Sequence, residues 1–427
     1  MIYFLGILIS LALGFLFIRL LTAGRLNLIL HIFLALALGL GINGTIAFYT
    51  HILFNQFDRF IPIGIIVTGI AYLYFLNKKK ISFPPLTQAH LWGLVTLVLL
   101  AVPLAISAHY YPLGGWDAWS CWSLKAKFIF LGQENWKDVL SPGLWRSNTH
   151  YPLLWPLINV WFWDLGGRFD QAVPMLNSVV IALLTAGILL FGLWELTGKL
   201  PVSILAAVLV TALPFGVTLY TSQYSDSLLG LFLLSAFICL LLAEKYNLPT
   251  LKILSMLFLG LMSFTKNEGL IAAGIAALLI WWQERSRKKE LKGLIGAFII
   301  AALPTIIFTL FMAPPNEAFI NGLVSTDKPT DWARVSVILV YPWFEFISGK
   351  WNGYWLLALA GILWGGKKLW QSTPGLIGIS LILYLGVVMA YYAVNTFFEI
   401  QWWLSTTLSR ILFALIPTIT LWIGLAA

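Results

Sequence analysis

An acidic residue in a tryptophan-rich segment is the most chemically suggestive feature of the sequence. Asp117 lies in Gly-Gly-Trp-Asp-Ala-Trp, residues 114–119, shortly after an apolar run that ends near Ala108. A carboxylate where an apolar segment meets water is costly unless it is solvated or paired. It could act as a general base that takes a proton from a hydroxyl, or bind a divalent cation through its oxygen atoms. The alternative is structural: Asp117 caps a helix.

Three further charged residues stand in short segments between apolar runs. Asp226 opens such a run, so it could be a second carboxylate of the same site or a helix cap. Lys266, in a tight turn with Glu268, suits phosphate as a point charge, whereas snorkelling to the interface is the alternative. Arg410 opens the last apolar run and requires a partner there, such as a phosphate, Glu399 or another acid.

Aromatic and basic residues around Asp117 could hold a substrate. Residues 116–130 mix aromatic residues with lysines and predict an interfacial helix. His150 could orient a hydroxyl or bind a metal, and a structural role is the alternative. The candidate substrate-binding residues are Trp116, Trp119, Lys125, His150, Tyr151 and Glu268. Cys121 and Cys239 make no metal-ligand spacing, and we expect no disulfide between them.

The composition predicts an integral membrane protein. Of the 427 residues, 60% are hydrophobic and only 10% are charged, so a soluble fold could not hide the apolar surface. The first apolar run lacks a basic flank and a small-residue cleavage site, which predicts an uncleaved span. The net charge of +9 comes from basic residues spread over many loops, so it does not indicate nucleic-acid binding.

Thirteen apolar runs are long enough for transmembrane helices, and we expect an all-α polytopic fold. The predicted spans are 1–18, 27–49, 60–76, 90–108, 171–194, 201–218, 227–243, 251–264, 269–283, 293–313, 352–366, 373–392 and 408–425. Two shorter pieces, 151–163 and 336–347, read as interfacial or re-entrant segments. We divide the chain into three accessory spans, 1–89, and one membrane domain, 90–427.

The basic residues orient these spans. The short basic loops all fall on one side, which is the cytoplasm by the positive-inside rule; they contain Arg19, Arg25, the lysines at 78–80, Lys199, Lys245, Lys252, residues 285–292, Lys367 and Lys368. The long segments 109–170, 314–335 and 393–407 then lie on the outer side, together with the four candidate residues. Loops of this length in a compact chain are usually functional.

Taken in order, these segments resemble the membrane-embedded glycosyltransferases of the GT-C superfamily, especially the protein mannosyltransferase-like and aminoarabinose-transferase-like branch. The pattern begins with the acid at 117, after a core span and at the start of a long outer loop. Residues 150–154 are similar to a Tyr/Lys-Pro-Pro-Leu segment but lack its second proline and its lysine. An acid that opens a span follows at 225–229, then a Leu-Thr-Lys-Gly-like turn at 264–269, then Arg410 with a later proline.

The resemblance implies transfer of a sugar from a polyprenyl-phosphate donor to a glycan, lipid or protein acceptor, with inversion at the anomeric carbon. Asp117 would be the general base and Asp226 its catalytic support, while Lys266 and Arg410 would bind the donor phosphate. Lys125 or Lys127 would offset the desolvation of Asp117. No Asp-x-Asp follows Asp117, so a Mg²⁺ or Mn²⁺ cofactor stays open.

Two other functions compete with this interpretation. A transporter or flippase would place ionisable groups near the membrane midplane, often on broken helices within inverted repeats. Here they cluster at one face, and no repeat is evident. A polysaccharide polymerase or ligase would use the same donors but would rely on outer-loop arginines and a histidine. The small loops indicate a prokaryotic plasma membrane, with the active site on its outer face.

Overall fold

The computed structural model describes residues 2–22, 24–54, 60–77, 83–323 and 332–426. Within these ranges the chain is helical and contains no β-strand, so the prediction of an all-α membrane fold is confirmed at that level. The lysines at 78–80 and part of the outer segment 314–335 lie outside the described residues.

Eighteen α-helices follow one another along the described chain. The first nine are α1 (Ile2–Thr22), α2 (Leu28–Phe54), α3 (Phe60–Leu76), α4 (Gln88–Tyr110), α5 (Ser123–Gly132), α6 (Leu154–Gly166), α7 (Ala172–Thr197), α8 (Leu200–Thr211) and α9 (Pro214–Thr221). The others are α10 (Ser225–Lys245), α11 (Thr250–Ser263), α12 (Asn267–Gln283), α13 (Lys288–Phe311), α14 (Glu317–Leu323), α15 (Trp332–Ile347), α16 (Tyr354–Gly365), α17 (Ser372–Val394) and α18 (Ile400–Gly424). Short 3₁₀-helices occupy Gln133–Leu140, Pro142–Ser147, Gly349–Trp351 and Gly366–Trp370, and a π-helical turn occupies Ala118–Trp122.

Eight of the described helices are long and apolar enough to cross a bilayer: α1, α2, α4, α7, α10, α13, α17 and α18. A ninth span results if the bent pair α8 and α9 is counted as one. The four other predicted spans correspond to the shorter helices α3, α11, α12 and α16, so the total of thirteen stays a prediction.

The predicted span at 201–218 is wrong in one respect, because it is not a single straight helix. α8 and α9 are bent by 63° at a break between Thr211 and Pro214. Pro214 lacks an N–H and its ring clashes with the preceding turn, so a continuous helix is disfavoured here. The bend directs α9 towards the turn that carries Ser222 and Gln223.

The last helix is longer than predicted. α18 begins at Ile400, eight residues before the predicted start at 408, so Arg410 does not open it. At 1.5 Å per residue, Arg410 lies about 15 Å from the first residue of α18. The helices α15 and α16 pack against successive parts of α18. The hydrogen bonds in chain order join Arg334 to the Phe398 carbonyl, Glu345 to Ser409, and Tyr354 to the Ile416 carbonyl.

The two predicted short segments adopt different environments. Residues 154–164 of α6 are all buried, so this piece is enclosed by protein rather than spread over a surface. The segment 336–347 falls in α15, which leaves large apolar side chains such as Leu339, Trp343 and Ile347 exposed. The predicted helix at 116–130 is present, with a π-helical turn at Ala118–Trp122 that continues into α5, while its interfacial position stays a prediction.

Segments predicted for one side of the membrane meet one another. We call the end of the bundle with the long segment 109–170 the loop-rich end, and the end with the short basic loops the basic end. At the loop-rich end, the chain around 114–117 contacts 222–226, which in turn contacts 264–266. At the basic end, contacts join Glu195 to Tyr246, Glu244 to Thr373, Leu21 to Thr250 and Lys252 to Glu284. The relative placement of the loops therefore agrees with the predicted parity, while the side that faces outwards stays a prediction.

The core of the bundle is formed around α10. Residues 225–243 of α10 are all buried, and α10 packs against α7, α11 and α18. Small residues permit the closest helix crossings, as expected where van der Waals packing drives association. A Cβ at Gly230 would press on the Ala414 carbonyl of α18, and one at Gly14 would collide with the Ala35 carbonyl of α2. The N-terminal helices also pack directly onto the rest, because α2 contacts α6 and α7 and α1 contacts α6. The domain boundary at 89/90 stays a prediction.

Candidate active site

Arg410 joins two carboxylates that are far apart in the sequence. Its Nη1 donates to Oδ2 of Asp117 at 2.6 Å, while Nη2 and Nε donate to Oδ2 of Asp226 at 2.9 and 3.3 Å. The guanidinium also lies 4.3 Å from the ring centre of Tyr224, within the range of a cation–π contact. Two acids and one arginine are thereby fixed in one geometry.

Lys266 extends this network. Its Nζ lies 3.1 Å from Oδ1 of Asp226 and 3.3 Å from Oε1 of Glu268. Burial acts to lower the pKa of Lys266, but the charges of Asp226 and Glu268 outweigh burial and raise it. The four candidate catalytic and phosphate-binding residues and Glu268 therefore form one connected group of five, which we call the acid–base network: Asp117, Asp226, Lys266, Glu268 and Arg410.

The network contains one more carboxylate than cations, and its members differ in exposure. The side chains of Asp226 and Lys266 are 4% and 6% exposed, whereas those of Asp117 and Glu268 are 26% and 25% exposed. Buried charges are stable only when they are paired and hydrogen-bonded, and Asp226 fulfils that condition with both oxygens. Asp117 and Glu268 are the acids of the network that a substrate can reach most easily.

Backbone contacts bring Asp117 to its place. Gly114 has a φ of +70°, and Gly115 donates its N–H to the Ser222 carbonyl at 3.1 Å. A side chain at Gly115 would collide with the Tyr224 hydroxyl, so the chain can approach this closely only with glycine. The π-helical turn begins immediately after Asp117, and such turns often occur at functional sites.

Two more hydrogen bonds join the other segments. Ser225 Oγ donates to the Thr265 carbonyl at 2.9 Å, which places Asp226 and Lys266 side by side. The Leu154 N–H donates to the Phe264 carbonyl at 3.1 Å, which brings the segment 150–154 against the same turn. A few polar contacts thus bring together segments that are far apart in the sequence.

The capping alternative is wrong for both acids. Among the described residues, neither Asp117 nor Asp226 makes a side-chain hydrogen bond to a helix N-terminus. The snorkelling alternative is wrong for Lys266, which is buried and paired. Glu399 is not the partner of Arg410, because its carboxylate caps α18 through the N–H groups of Gln401 and Trp402.

Lys125 does not contact Asp117, contrary to the expected offset. It is fully buried, and its Nζ donates to the Asn148 carbonyl at 2.6 Å and to the Tyr151 carbonyl at 3.5 Å. Burial lowers the pKa of Lys125. The cation that pairs with Asp117 is Arg410, and Lys125 supports the backbone of 148–151. Lys127 lies 5.0 Å from the ring centre of Phe169.

Tyr151 links this lysine to the network. Its ring stacks on Trp122 with centroids 5.7 Å apart, and the Nζ atoms of Lys125 and Lys266 each lie 5.7 Å from its centre. Burial and the charge of Glu268 raise the pKa of Tyr151 well above its usual value, so the phenol is neutral. Burial and the nearby charge of Lys125 lower the pKa of His150 to about 4, so this imidazole is also neutral at pH 7.

Two exposed tryptophans flank Asp117. Trp116 and Trp119 lie with ring centroids 4.4 Å apart in an edge-to-face arrangement, and they are 67% and 46% exposed. Their faces are available to a sugar ring or to lipid, and the geometry alone is compatible with both. Their role in substrate binding stays a prediction.

Sequence reasoning missed several residues around the network. Tyr224 was not assigned a role, although it lies directly beside Arg410. Tyr392 is buried, and its hydroxyl hydrogen-bonds Thr407 at 2.5 Å. A second buried group adjoins the network, because Ser409 donates to Glu345 at 2.8 Å and Lys350 bonds both. Only the position of Ser409 next to Arg410 could have signalled that group.

The residues present do not fit a metal ion. Within the part of the chain that the structure describes, no group of three or more His, Cys, Asp or Glu side chains is arranged to hold one. Both oxygens of Asp226 and Oδ2 of Asp117 accept hydrogen bonds from Lys266 or Arg410. A divalent cation at this place would compete with Lys266 and Arg410 for those oxygens.

No protein-family model, curated protein or solved structure matches this chain. The functional argument therefore depends on the acid–base network itself.

Proposed function

We propose that this protein is a membrane glycosyltransferase that transfers a sugar from a polyprenyl-phosphate donor to an acceptor hydroxyl. One observation carries the proposal. Asp117, a partly exposed carboxylate, lies 2.6 Å from Arg410, and Arg410 shares the buried acid Asp226 with Lys266. A base beside two cations is the arrangement that displacement of a phosphate leaving group requires.

The reaction would proceed by a single displacement. The acceptor oxygen attacks the anomeric carbon of the sugar while its proton passes to the carboxylate of Asp117. The bond between the anomeric carbon and the phosphate oxygen breaks, and its electron pair stays on the departing polyprenyl phosphate. Because attack and departure occur on opposite faces, the anomeric configuration inverts.

Lys266 and Arg410 have N–H donors left to bind this phosphate. An ammonium has three donors and a guanidinium has five. Lys266 directs two donors at Asp226 and Glu268, and Arg410 directs three at Asp117 and Asp226. The remaining N–H groups can bind phosphate without breaking the network. Asp226 would then hold the two cations at a fixed separation, while Glu268, Tyr151, Trp116 and Trp119 contact the sugar or the acceptor.

The wider setting is part of the same proposal. The order of the segments favours a GT-C-like enzyme of thirteen spans, with its catalytic domain at 90–427. The clustering of the ionisable groups at the loop-rich end favours chemistry at one membrane surface, which we place on the outer face of a prokaryotic plasma membrane. The large apolar helices provide surface for the polyprenyl tail.

A transporter or flippase is the second candidate, because one observation favours it. α8 and α9 form a broken helix with a 63° bend, and α9 ends at Thr221, beside the turn that holds Asp117. Broken helices next to ionisable groups are typical of secondary transporters. Such a protein would bind its substrate at the network and move it without breaking a bond.

The experiment that separates the two candidates measures transfer directly. Purified wild type, Asp117→Asn and the exposed-residue control Asp138→Asn are incubated with a panel of radiolabelled polyprenyl-phosphate sugars and hydroxyl acceptors, with and without a chelator. We expect turnover with one donor in wild type and Asp138→Asn and its loss in Asp117→Asn. Equal activity in all three proteins would remove Asp117 from the mechanism. Substrate uptake into vesicles without cleavage would favour the transporter.

A further inference from the structure

The guanidinium of Arg410 lies where two acids converge. Asp117 and Asp226 come from separate segments, yet their Oδ2 atoms bind the same side chain, at 2.6 Å and 2.9 Å. Two carboxylates that approach each other need positive charge between them, and in many enzymes a divalent cation supplies it. Here an arginine supplies it.

The surroundings hold this arginine in place. The Arg410 side chain is 15% exposed, its charge lies over the Tyr224 ring, and Tyr224 packs closely against Gly115. Asp226 is held from the other side by Lys266, whose ammonium would repel an incoming metal ion. A divalent cation could enter only by displacing a buried, doubly paired guanidinium.

We infer that Arg410 replaces a divalent cation in this site, so that the protein functions without a bound metal. The planar guanidinium has donors at fixed angles and binds the two carboxylates through different nitrogen atoms, Nη1 for Asp117 and Nη2 with Nε for Asp226. Its Nη1 holds the Asp117 carboxylate in place at 2.6 Å, which makes Arg410 a positioning residue for that acid in addition to any contact with phosphate. This inference stands on the ion-pair geometry and does not depend on which group is transferred.

The test measures metal binding, which needs no substrate. Mn²⁺ is titrated into the full-length chain in detergent, and bound metal is followed by loss of the free-ion electron paramagnetic resonance signal. The proteins are wild type, Asp117→Asn, Arg410→Ala, Arg410→Met, Arg410→Lys and Arg410→Ala combined with Asp117→Asn. Thermal melting of each shows whether it is folded. Arg168→Ala, which removes an arginine that is 78% exposed, is the matched control.

We expect wild type, Asp117→Asn and Arg168→Ala to bind Mn²⁺ equally weakly. Loss of the positive charge in Arg410→Ala or Arg410→Met should strengthen binding by roughly a hundredfold or more, since unit charges at 4 Å interact strongly even at an effective dielectric constant of about 20. Arg410→Lys should show no such gain, and the Asp117→Asn double variant should lose it.

Two results would overturn the inference. One is tight Mn²⁺ binding by wild type that Asp117→Asn abolishes, since the metal would then displace the guanidinium. The other is a folded Arg410→Ala or Arg410→Met protein that gains no affinity. If both of these variants fail to fold, the comparison of wild type with Asp117→Asn still decides. A protein without transferase activity but with the expected Mn²⁺ pattern would refute the proposed function and leave this inference intact.

Discussion

Two buried ion-pair groups lie at opposite ends of the same two helices. Lys252 lies in the first turn of α11, and Lys266 follows the end of that helix. Glu268 lies in the first turn of α12, and Glu284 follows its end. At the basic end, Lys252 and Glu284 pair at 2.6 Å with side chains 8% and 6% exposed. At the loop-rich end, Lys266 pairs with Asp226 and Glu268.

The two groups differ in what they connect. The Lys252–Glu284 pair joins neighbouring helices, and its third member, Arg287, follows within the same turn region. The acid–base network joins four separate segments, has an excess of acid and includes Asp117, which is partly open to solvent. A pair that only holds helices together needs neither feature. The comparison teaches that a buried ion pair alone does not indicate a functional site. A group of charged residues from several segments, with more acids than cations, does.

The largest expected effect separates the two groups by activity. Asp117→Asn should lower the transfer rate by about 10²- to 10⁴-fold, the usual range for loss of a general base. The fold should survive, because Arg410 keeps Asp226 as a partner. Initial rates with the labelled donor and the melting temperature check this, with Asp138→Asn as the matched exposed control. Retained activity in Asp117→Asn would indicate that the ion pairs at both ends have only a structural role.

The next effect is on stability, and both ends should show it. Glu284→Gln leaves the buried Lys252 without its charged partner, and Asp226→Asn removes the buried carboxylate that Lys266 and Arg410 share. Breaking a buried pair typically costs about 3–5 kcal/mol of unfolding free energy. Only Asp226→Asn should also weaken donor binding. Denaturation in detergent and binding of a fluorescent polyprenyl phosphate measure the two quantities. Weaker binding in Glu284→Gln as well would mean that general destabilisation explains both.

A pH effect on stability is expected from His150 at the loop-rich end. The pKa of His150 is lowered to about 4 by burial and by Lys125, against about 6.5 when unfolded. The unfolded chain therefore binds more protons than the folded chain between these pH values. The free energy of unfolding is at its full value above pH 6.5 as far as His150 is concerned, and it decreases as the pH falls towards 4. The shift corresponds to at most about 3 kcal/mol.

The measurement is the melting temperature of wild type and His150→Gln from pH 7.5 to 4.5. The difference between the two should change in favour of the variant as the pH falls. Because other histidines titrate in both proteins, only this difference is informative. A difference that is constant with pH would show that His150 is not held neutral in the fold.

The smallest effects belong to the outer members of each group. Glu268→Gln and Arg287→Gln remove charges that are 25% and 60% exposed, and each should change the unfolding free energy by less than about 1 kcal/mol. Thermal melts at low and high salt check this. A larger loss in Glu268→Gln would indicate that the balance of charge around Lys266 depends on all three carboxylates.

Much of the fold could be predicted because the bilayer requires long apolar segments. Every predicted span coincides with a helix or, at 201–218, with a bent pair of helices. The bend at Pro214 and the early start of α18 were missed for a common reason. Hydropathy reports which residues tolerate lipid, and it does not report where a helix breaks or continues beyond the apolar run.

The site could be predicted only as a set of residues. Charged residues at the ends of apolar runs are costly without partners, which singled out Asp117, Asp226, Lys266 and Arg410. Which of them pair could not be predicted, since it depends on how α10, α12 and α18 pack. Lys125 shows the difference, because it lies eight residues from Asp117 yet bonds to the carbonyls of 148 and 151.

The sequence by itself determined the membrane class, the helical architecture and the identity of the charged residues that must find partners, because hydration and backbone hydrogen bonding act on local segments. The tertiary structure decided that an arginine 293 residues from Asp117 is the partner of that acid, and that Asp226 holds two cations at once. Ion pairing falls off with distance through space rather than along the chain, so only the packed bundle could make that choice.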